Sequence, residues 1–560
     1  MTERTTNWTS RRVSRRTTLR AAGLGTLGLA GSVLIGCGDD DEAADAPAAS
    51  GGGSSSSAAT AAAGSGTSAA ASTSNVTEGG TFKWAGTEPN SLDPHRGRGG
   101  GDHPYFWMTT QGLVTYDMAF GLQPLLAESW EVADDTTIIF NLRQGVEFSD
   151  GNEFTSADVK TSIERVLDPA TESTAFAQMS VIESIETPDS HTAIAHLARP
   201  SAPILLNLAD RGGQIISKSQ LADQTTDEIH RGAIGTGPYI VKEWKDGGSV
   251  ELTANPTYWE SDSDGVQYPY VDGLLSTIIT DPTVRATSVA SGQANVGLID
   301  AANVKLIEDA ENADLVIHEA RATAHVRINL DLVTDIRVRQ AMMWSLDRQA
   351  IHEDAYLVKG NIPGISPIGP AHAWAMHTAI QDKVFQDQAE SRKLLDAAGL
   401  DRVDLGMQAS IGPISQQIQA QMAEVGIDIE LVQGGGGLTL YHDGLLPLFL
   451  TGGFSLRADP DGTIFEVWHG KGFYNAAARR HNGFFSIDPA LDRKLEQAQE
   501  TYVTEERAEL YHQAEEIIVF DAHGVFTGWP NGLWAVNHNV ENFVTGGEGK
   551  GRFKKIWINA

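Results

Sequence analysis

The spacing of apolar positions beyond Val76 switches between a period of two and a period near 3.6, the signature of a chain that mixes strands and helices. Thr81-Phe82-Lys83-Trp84-Ala85 alternates and predicts a strand, as does Thr137-Ile138-Ile139-Phe140-Asn141-Leu142. Gly145 to Asn152 reads as loop and turn. Thr155, with Asp158 three residues on, predicts a capping box, and the helix it opens carries Val159, Ile163, Val166 and Leu167 on one face until Pro169 stops it. Ala233 to Val241, through Gly235-Thr236-Gly237-Pro238, predicts a tight turn entering a strand. A helix is expected over Ile336–Ile351, with Val338, Met342, Leu346 and Gln349 along it. Thr504–Phe520 carries one apolar stripe through Leu510, Ala514, Ile517 and Ile518. Short strands are expected over Val525–Asn559. No fixed-period repeat is present, so the fold class is α/β or α+β.

The first residues have a different character. Ser14-Arg15-Arg16-Thr17-Thr18-Leu19-Arg20 resembles a twin-arginine export signal, and a Gly-rich apolar run follows from Ala21 to Gly36. That run is short for a bilayer span, which needs about 20 residues. It ends Leu34-Ile35-Gly36-Cys37, which resembles a bacterial lipobox. Cleavage there would leave Cys37 as the acylated first residue. A cleaved soluble signal or a short N-terminal anchor are the alternatives. From Gly38 to about Val76 the chain is Ala, Gly, Ser and Thr with a few acids, a composition too poor in large apolar groups to pack, so it reads as a tether. The expected organisation is therefore a signal over 1–36 and a lipid-anchored linker over 37–76, followed by the globular head.

Composition narrows the function. The 560-residue chain has a formal net charge of −32. Residues 1–36 hold six Arg and one Glu, a net of +5, so the remainder is near −37. Such acidity argues against nucleic acid as a partner, because phosphate binding needs clustered Lys and Arg. Cys37 is the single cysteine, so no intrachain disulfide can form. GxSxG, P-loop and zincin motifs are missing, and the acidic pair Asp134-Asp135 and the run Asp39-Asp40-Asp41 sit in turn-like or tether-like sequence. An exported hydrolase is accordingly the weaker reading, and no catalytic residue is assigned.

An ordered series of motifs carries a family resemblance. It begins with Glu88-Pro89-Asn90-Ser91-Leu92-Asp93-Pro94, Gln111-Gly112-Leu113-Val114-Thr115-Tyr116-Asp117 and Leu126-Ala127-Glu128-Ser129-Trp130-Glu131-Val132. Phe140 to Gly151 and Phe154-Thr155-Ser156-Ala157-Asp158-Val159 follow, then Gly235-Thr236-Gly237-Pro238-Tyr239, Asn255-Pro256-Thr257-Tyr258-Trp259 and Val338-Arg339-Gln340-Ala341 with Leu346-Asp347-Arg348. Asn482-Gly483-Phe484 with Asp488-Pro489-Ala490-Leu491-Asp492 closes the series. Taken together, over roughly residues 79–545, it resembles the family 5 extracellular solute-binding proteins of ABC transporters, the oligopeptide, dipeptide and nickel type. Most of these residues read as scaffold: Gly145 and Gly151 suit turns, Trp130, Trp244 and Trp259 suit the core, and Asp347-Arg348 suits a solvated or capping pair.

The resemblance implies an α/β, two-lobed periplasmic-binding-protein fold (type II, of the large cluster with an extra subdomain) whose hinge the chain crosses twice. Lobe I would hold 77–322 and the return segment 525–560; lobe II would hold 323–524. A small ligand of the oligopeptide, sugar-conjugate or metal-chelate class would bind between the lobes and pass to an ABC permease. The membrane is met through the lipid anchor, and no cofactor is expected. A ligand sensor or a chaperone on the same scaffold remains an alternative.

The pocket implied by the resemblance is lined by the loop Arg96–His103, with Arg98 and Asp102, and by the segment leading to Asp459-Pro460-Asp461. In peptide binders of the family an Asp three residues before the Asp-Pro-Asp holds the peptide amine. Leu456 stands there in this chain, with Arg457 beside it and Asp459 nearby as a substitute. Arg457, with Arg98, is expected to meet an anionic or hydroxyl-rich ligand, against a surface or lobe–lobe salt bridge. Phe106, Trp374 and Phe454 are candidate aromatic walls, against ordinary packing. The pairs His372/His377 and His469/His481 follow no recognised metal-ligand spacing, and no metal site is assigned.

Overall fold

In the computed structural model, residues 76–559 are described apart from 98–100, 319–321, 356–361, 384–385, 410–411, 434–439, 442, 456, 473–474 and 476–487. Residues 1–75, with the expected signal, nearly all of the expected linker and Cys37, therefore lie outside the described residues, as do Arg98, Leu456, His481 and Asn482-Gly483-Phe484. From Ala71 onward the chain is one unit.

That unit is built on two large sheets and one smaller one. The strand predicted over Thr81–Ala85 runs to Gly86 and is central in a seven-stranded sheet ordered Tyr239–Lys245, Ser249–Ala254, Gly273–Ile278, Thr81–Gly86, Val296–Leu298, Gly532–Asn537, Ala313–His318. It pairs in parallel with Gly273–Ile278 and Val296–Leu298. Phe82 and Trp84 point into the core from one face, as the alternation required. A six-stranded sheet runs Ile362–Pro363, Gly524–Trp529, Ala322–Ile328, Leu448–Ser455, Val403–Gln408, Ile427–Val432. A four-stranded antiparallel sheet, Ala127–Asp134, Thr137–Leu142, Thr192–Leu197, Ile182–Asp189, is the smaller layer.

Apolar side chains collect into one core around the seven- and four-stranded sheets and a second around the six-stranded sheet. The consecutive strands Ala313–His318 and Ala322–Ile328 lie in different large sheets, and so do Gly524–Trp529 and Gly532–Asn537. The chain thus passes between the sheets twice. The segment expected to return at 525 gives its first strand to the six-stranded sheet and its second to the seven-stranded one. Among the described residues no helix is long and apolar enough to cross a membrane.

Local signals hold where the chemistry is local. Thr155 and Asp158 form the reciprocal cap of helix Ser156–Leu167, whose Val159, Ile163 and Val166 are fully buried. Gly145 and Gly151 adopt φ of 70° and 82°, the left-handed region. At Gly235 the backbone runs so close to Thr109 that an added Cβ would lie 2.3 Å from its carbonyl oxygen. Helix Thr504–Phe520 has the expected bounds, with Ala514 and Ile518 buried and Leu510 and Ile517 half-buried beside the fully enclosed Tyr511. Trp130, Trp244 and Trp259 pack half-buried against the first core; the indole N–H of Trp244 donates to Glu88 at 2.6 Å.

Two expectations are corrected. The helix predicted over Ile336–Ile351 stops at Trp344 and a new turn begins at Arg348. Asp347 is extended there: its N–H donates to Gln421 at 2.7 Å and its carboxylate accepts from the Ala350 N–H at 2.9 Å, so a long-range partner and a cap replace the helical ladder. Arg348 is not solvated. It is 6% exposed, donates to the carbonyls of Phe526, Leu346 and Met343, and burial pushes its pKa down to about 10.

Candidate ligand cleft

The two cores meet around the short helix His103–Thr109 and the segment after strand Leu448–Ser455. Pro104 at the helix start fixes its φ for the first turn, and all seven helical residues are buried. His103, at its N-terminus, has Nε2 3.0 Å from Asp210 Oδ1 and 2.8 Å from Arg457 Nη1. Arg457 also reaches Asp210 directly, Nη1 to Oδ2 at 3.1 Å. Arg211 donates from Nη2 to Nδ1 of the same imidazole at 3.2 Å. Burial lowers the His103 pKa to about 3, so the ring is neutral. Burial works against the charge of Asp210, but His103 and the guanidiniums of Arg457 and Arg211 outweigh it and hold its carboxyl well below the ordinary range. Arg457, which follows a strand of the six-stranded sheet, is thereby tied to groups packed on the first core. That is the lobe–lobe arrangement weighed for it in the sequence.

Asp102 precedes that helix, is 1% exposed, and accepts from the Asn90 N–H at 2.6 Å. Phe106 is enclosed in the first core with its ring centroid 4.8 Å from His103 and 5.2 Å from Trp107. Asp459 faces the other way. Both its oxygens are taken by Arg507, Nη1 at 2.8 Å and Nη2 at 2.7 Å, and the Tyr511 hydroxyl donates at 3.3 Å. Trp374, 38% exposed, lies beside that pair, with the Arg507 guanidinium 5.4 Å from its ring centroid. Phe454 falls in strand Leu448–Ser455, and its side chain lies outside what the structure describes. Asp102, Phe106 and Arg457 are thus gathered around His103 and Arg211, whereas Asp459 and Trp374 form a separate group.

Asp461 closes the Asp-Pro-Asp. Burial, then the neighbouring Asp459, pushes its pKa up to about 7, and Gln499 donates to both its oxygens at 3.0 and 3.1 Å. Gln499 also accepts from Arg199 at 2.9 Å, and its carbonyl accepts from the Ala202 N–H at 2.7 Å. This is a second polar tie between the two cores.

Several residues around the meeting point were not among the sequence candidates. The Arg552 guanidinium stacks over Trp107 at 3.4 Å and reaches Tyr116 at 5.3 Å, and Glu548 pairs with Arg552 at 3.6 Å. Phe120, from the first core's side, stacks on His372 of the other half, centroids 5.1 Å apart and planes 7° from parallel. The run Gly546-Gly547-Glu548-Gly549-Lys550-Gly551, with charges alternating among glycines, was the available signal. His377 instead pairs with Glu516 at 3.3 Å, and His469 stacks on Phe465 at 3.9 Å. Among the described residues one other trio, Asp488, Asp521 and His523, brings its possible ligand atoms within 4.8 Å.

Two cores joined by a double crossing, with polar groups of both converging between them, define the class of two-domain binding proteins. The profile of the Bacterial extracellular solute-binding proteins, family 5 Middle, matches residues 121–475, and the chain belongs to that family. Among curated relatives, "Probable di/tripeptide-binding protein 5" of Pseudomonas aeruginosa (strain UCBPP-PA14) is 26% identical over 488 residues, 80% of this chain and 89% of the relative. Among solved structures, the periplasmic binding protein DppA of Helicobacter pylori in complex with the peptide STSA superposes with a TM-score of 0.76 at 23% identity, over 86% of this chain and 98% of that one. The binding protein AgaA of A. tumefaciens R10 with agropinic acid gives a TM-score of 0.75 at 23% identity with the same coverage, 86% and 98%. The fold is the two-lobed periplasmic-binding-protein fold, and the chain is an extracytoplasmic solute-binding protein that captures a small ligand for import by an ABC transporter.

Proposed function

We propose that this protein is a twin-arginine-exported lipoprotein, anchored through Cys37, whose head clamps a small solute of the peptide, sugar-conjugate or metal-chelate class between its lobes without turning it over. The lobes would comprise 77–322 with 525–560, and 323–524. The observation that carries the reading is the Arg457–Asp210–His103 cluster, in which a cation from one half meets an acid and an imidazole from the other. Such a contact forms only where the halves meet. A solute touching both lobes therefore gains affinity in the closed state alone, and drives closure by that difference.

With Leu456 at the peptide-amine position and Asp459 occupied by Arg507, an ordinary α-amino anchor has no carboxylate there. This supports a peptide relative or a sugar conjugate over a plain oligopeptide. Native mass spectrometry of the chain purified without refolding should find a bound small molecule, and a solute present at 100 times its Kd should stabilise the protein by about 2.7 kcal/mol. Cys37→Ser should move the protein from the membrane fraction to the soluble fraction. A chain that binds nothing from di- to pentapeptides, opine-like sugar conjugates, oligosaccharides and nickel chelates, and stays membrane-bound without Cys37, would defeat the proposal.

A further inference from the structure

The hairpin of strands Val544–Thr545 and Gly551–Arg552 places the glycine-rich loop Gly546–Gly551 at the junction of the two halves. Its path is set by close approach. A Cβ on Gly547 would lie 2.6 Å from the ring of Phe120, the residue that stacks on His372. Arg552, just after the loop, lies flat on Trp107. The loop closes on itself through the Gly546 N–H, which donates to the Lys550 carbonyl at 2.8 Å.

Lys550 is half-buried at the end of this loop. The charges around it come from three directions: Glu548 in its own loop, Asp102 ahead of helix His103–Thr109, and Arg457 from the other half. Yet Glu548 is paired with Arg552, Arg457 with Asp210, and Asp102 accepts from Asn90. Among the described residues no hydrogen bond and no ion pair reaches the Lys550 ammonium. Other lysines held near the core differ in this respect: Lys554 pairs with Glu260 at 2.6 Å and Lys218 with Asp158 at 3.2 Å. A desolvated cation without a counter-ion is costly, and burial lowers the pKa of Lys550 accordingly. An arriving anion would remove that cost, and Arg457 adds to its attraction.

We infer that Lys550 receives an anionic oxygen group of the captured solute, a carboxylate or a phosphate, and that this chain therefore selects acidic solutes. The inference rests on the solute-binding reading above and names the ligand chemistry of the same cleft. It places the selecting charge on the C-terminal hairpin of the first half rather than on the segment before Asp459. A charge-assisted hydrogen bond to a carboxylate in such a site corresponds to a preference of roughly 10- to 100-fold over an uncharged analogue.

The test uses the full chain in detergent and four probes: N-acetyl-trialanine and its C-terminal amide, and glucose 6-phosphate and glucose. Isothermal titration gives each affinity for the wild type, Lys550→Met and Lys550→Arg, with circular dichroism and thermal melts to establish that each variant folds. In the wild type, at least one acidic probe is expected to bind roughly 10- to 100-fold more tightly than its neutral partner. The trialanine pair reports a carboxylate and the glucose pair a phosphate. Lys550→Met should erase that preference while leaving the neutral partner's affinity unchanged, and Lys550→Arg should restore it. A lysine with a merely structural role would weaken both members of a pair alike, and that result overturns the inference. Acidic and neutral probes binding the wild type equally also overturns it, while leaving the solute-binding reading intact. Binding of none of the four overturns the inference, and the wider panel of peptides, sugar conjugates and chelates then decides whether the solute-binding reading falls with it.

Discussion

Arg457→Met removes the cation that joins the halves and nothing else of comparable size. In the intact protein its guanidinium contacts Asp210 at 3.1 Å and His103 at 2.8 Å, with the two charged side chains 21% and 14% exposed. That exposure screens the pair, so its value sits below that of a fully buried one. Hydrogen bonds to charged groups contribute about 1.5–3 kcal/mol. Taking the lower part of that range, about 1.5–2 kcal/mol, because Asp210 keeps Arg211 and His103 nearby, the closed form loses roughly 13- to 30-fold in equilibrium constant. Since solute binds the closed form, its apparent Kd should rise by the same factor. Isothermal titration of the best-binding solute against wild type, Arg457→Met, Asp210→Asn and the double variant measures this, and the cycle should show a coupling above about 1 kcal/mol. Full affinity in Arg457→Met, or strictly additive effects, would refute the view that this contact is formed on closure.

Two further predictions concern the second core. Arg507→Met leaves Asp459 buried with no cation beside it, only the Tyr511 hydroxyl and the Asp461 N–H, so urea unfolding followed by tryptophan fluorescence should show a loss of about 3–5 kcal/mol, mostly recovered by adding Asp459→Leu. Glu515 is enclosed, and burial pushes its pKa up to about 8, with the N–H groups of His377 and Ile368 donating to it at 2.9 and 3.3 Å. The folded state then holds this proton where the unfolded state has released it, so this group's share of stability is complete below about pH 4.5 and is lost as pH rises toward 8. Glu515→Gln should flatten that slope and make the protein more stable than wild type at pH 8 by about 1 kcal/mol or more; an unchanged slope in urea titrations across the window would show that Glu515 is ionised throughout.

What was legible in the sequence was what neighbours in the chain decide. Thr155 and Asp158 are three residues apart and cap each other, the alternation at Phe82 and Trp84 needs only a strand with one buried face, and the ordered motifs identify a scaffold whose turns and caps are local. What was not legible depended on partners far along the chain. Asp347 breaks a helix because Gln421 takes its N–H; Asp459 reads as a free acid until Arg507, 48 residues on, occupies it. Arg457 is cationic in any reading, but only the fold shows that an acid 247 residues earlier already meets it. The glycines around Lys550 read as loop, which is correct, and periodicity has nothing to say about where a loop is laid. Nor does the sequence separate Phe106, enclosed in the first core, from its neighbour Trp107, which Arg552 covers, since adjacent helical residues point in different directions.

Strand Gly532–Asn537 is not an edge of its sheet; it is inserted between Val296–Leu298 and Ala313–His318. Those two strands leave the ribosome long before the one that joins them. While the middle of the chain is being synthesised, both present unpaired backbone to the surroundings, and the first half cannot be finished until the tail has emerged. A nascent or C-terminally clipped copy is therefore an unfinished sheet with two sticky rims, whichever half is otherwise complete.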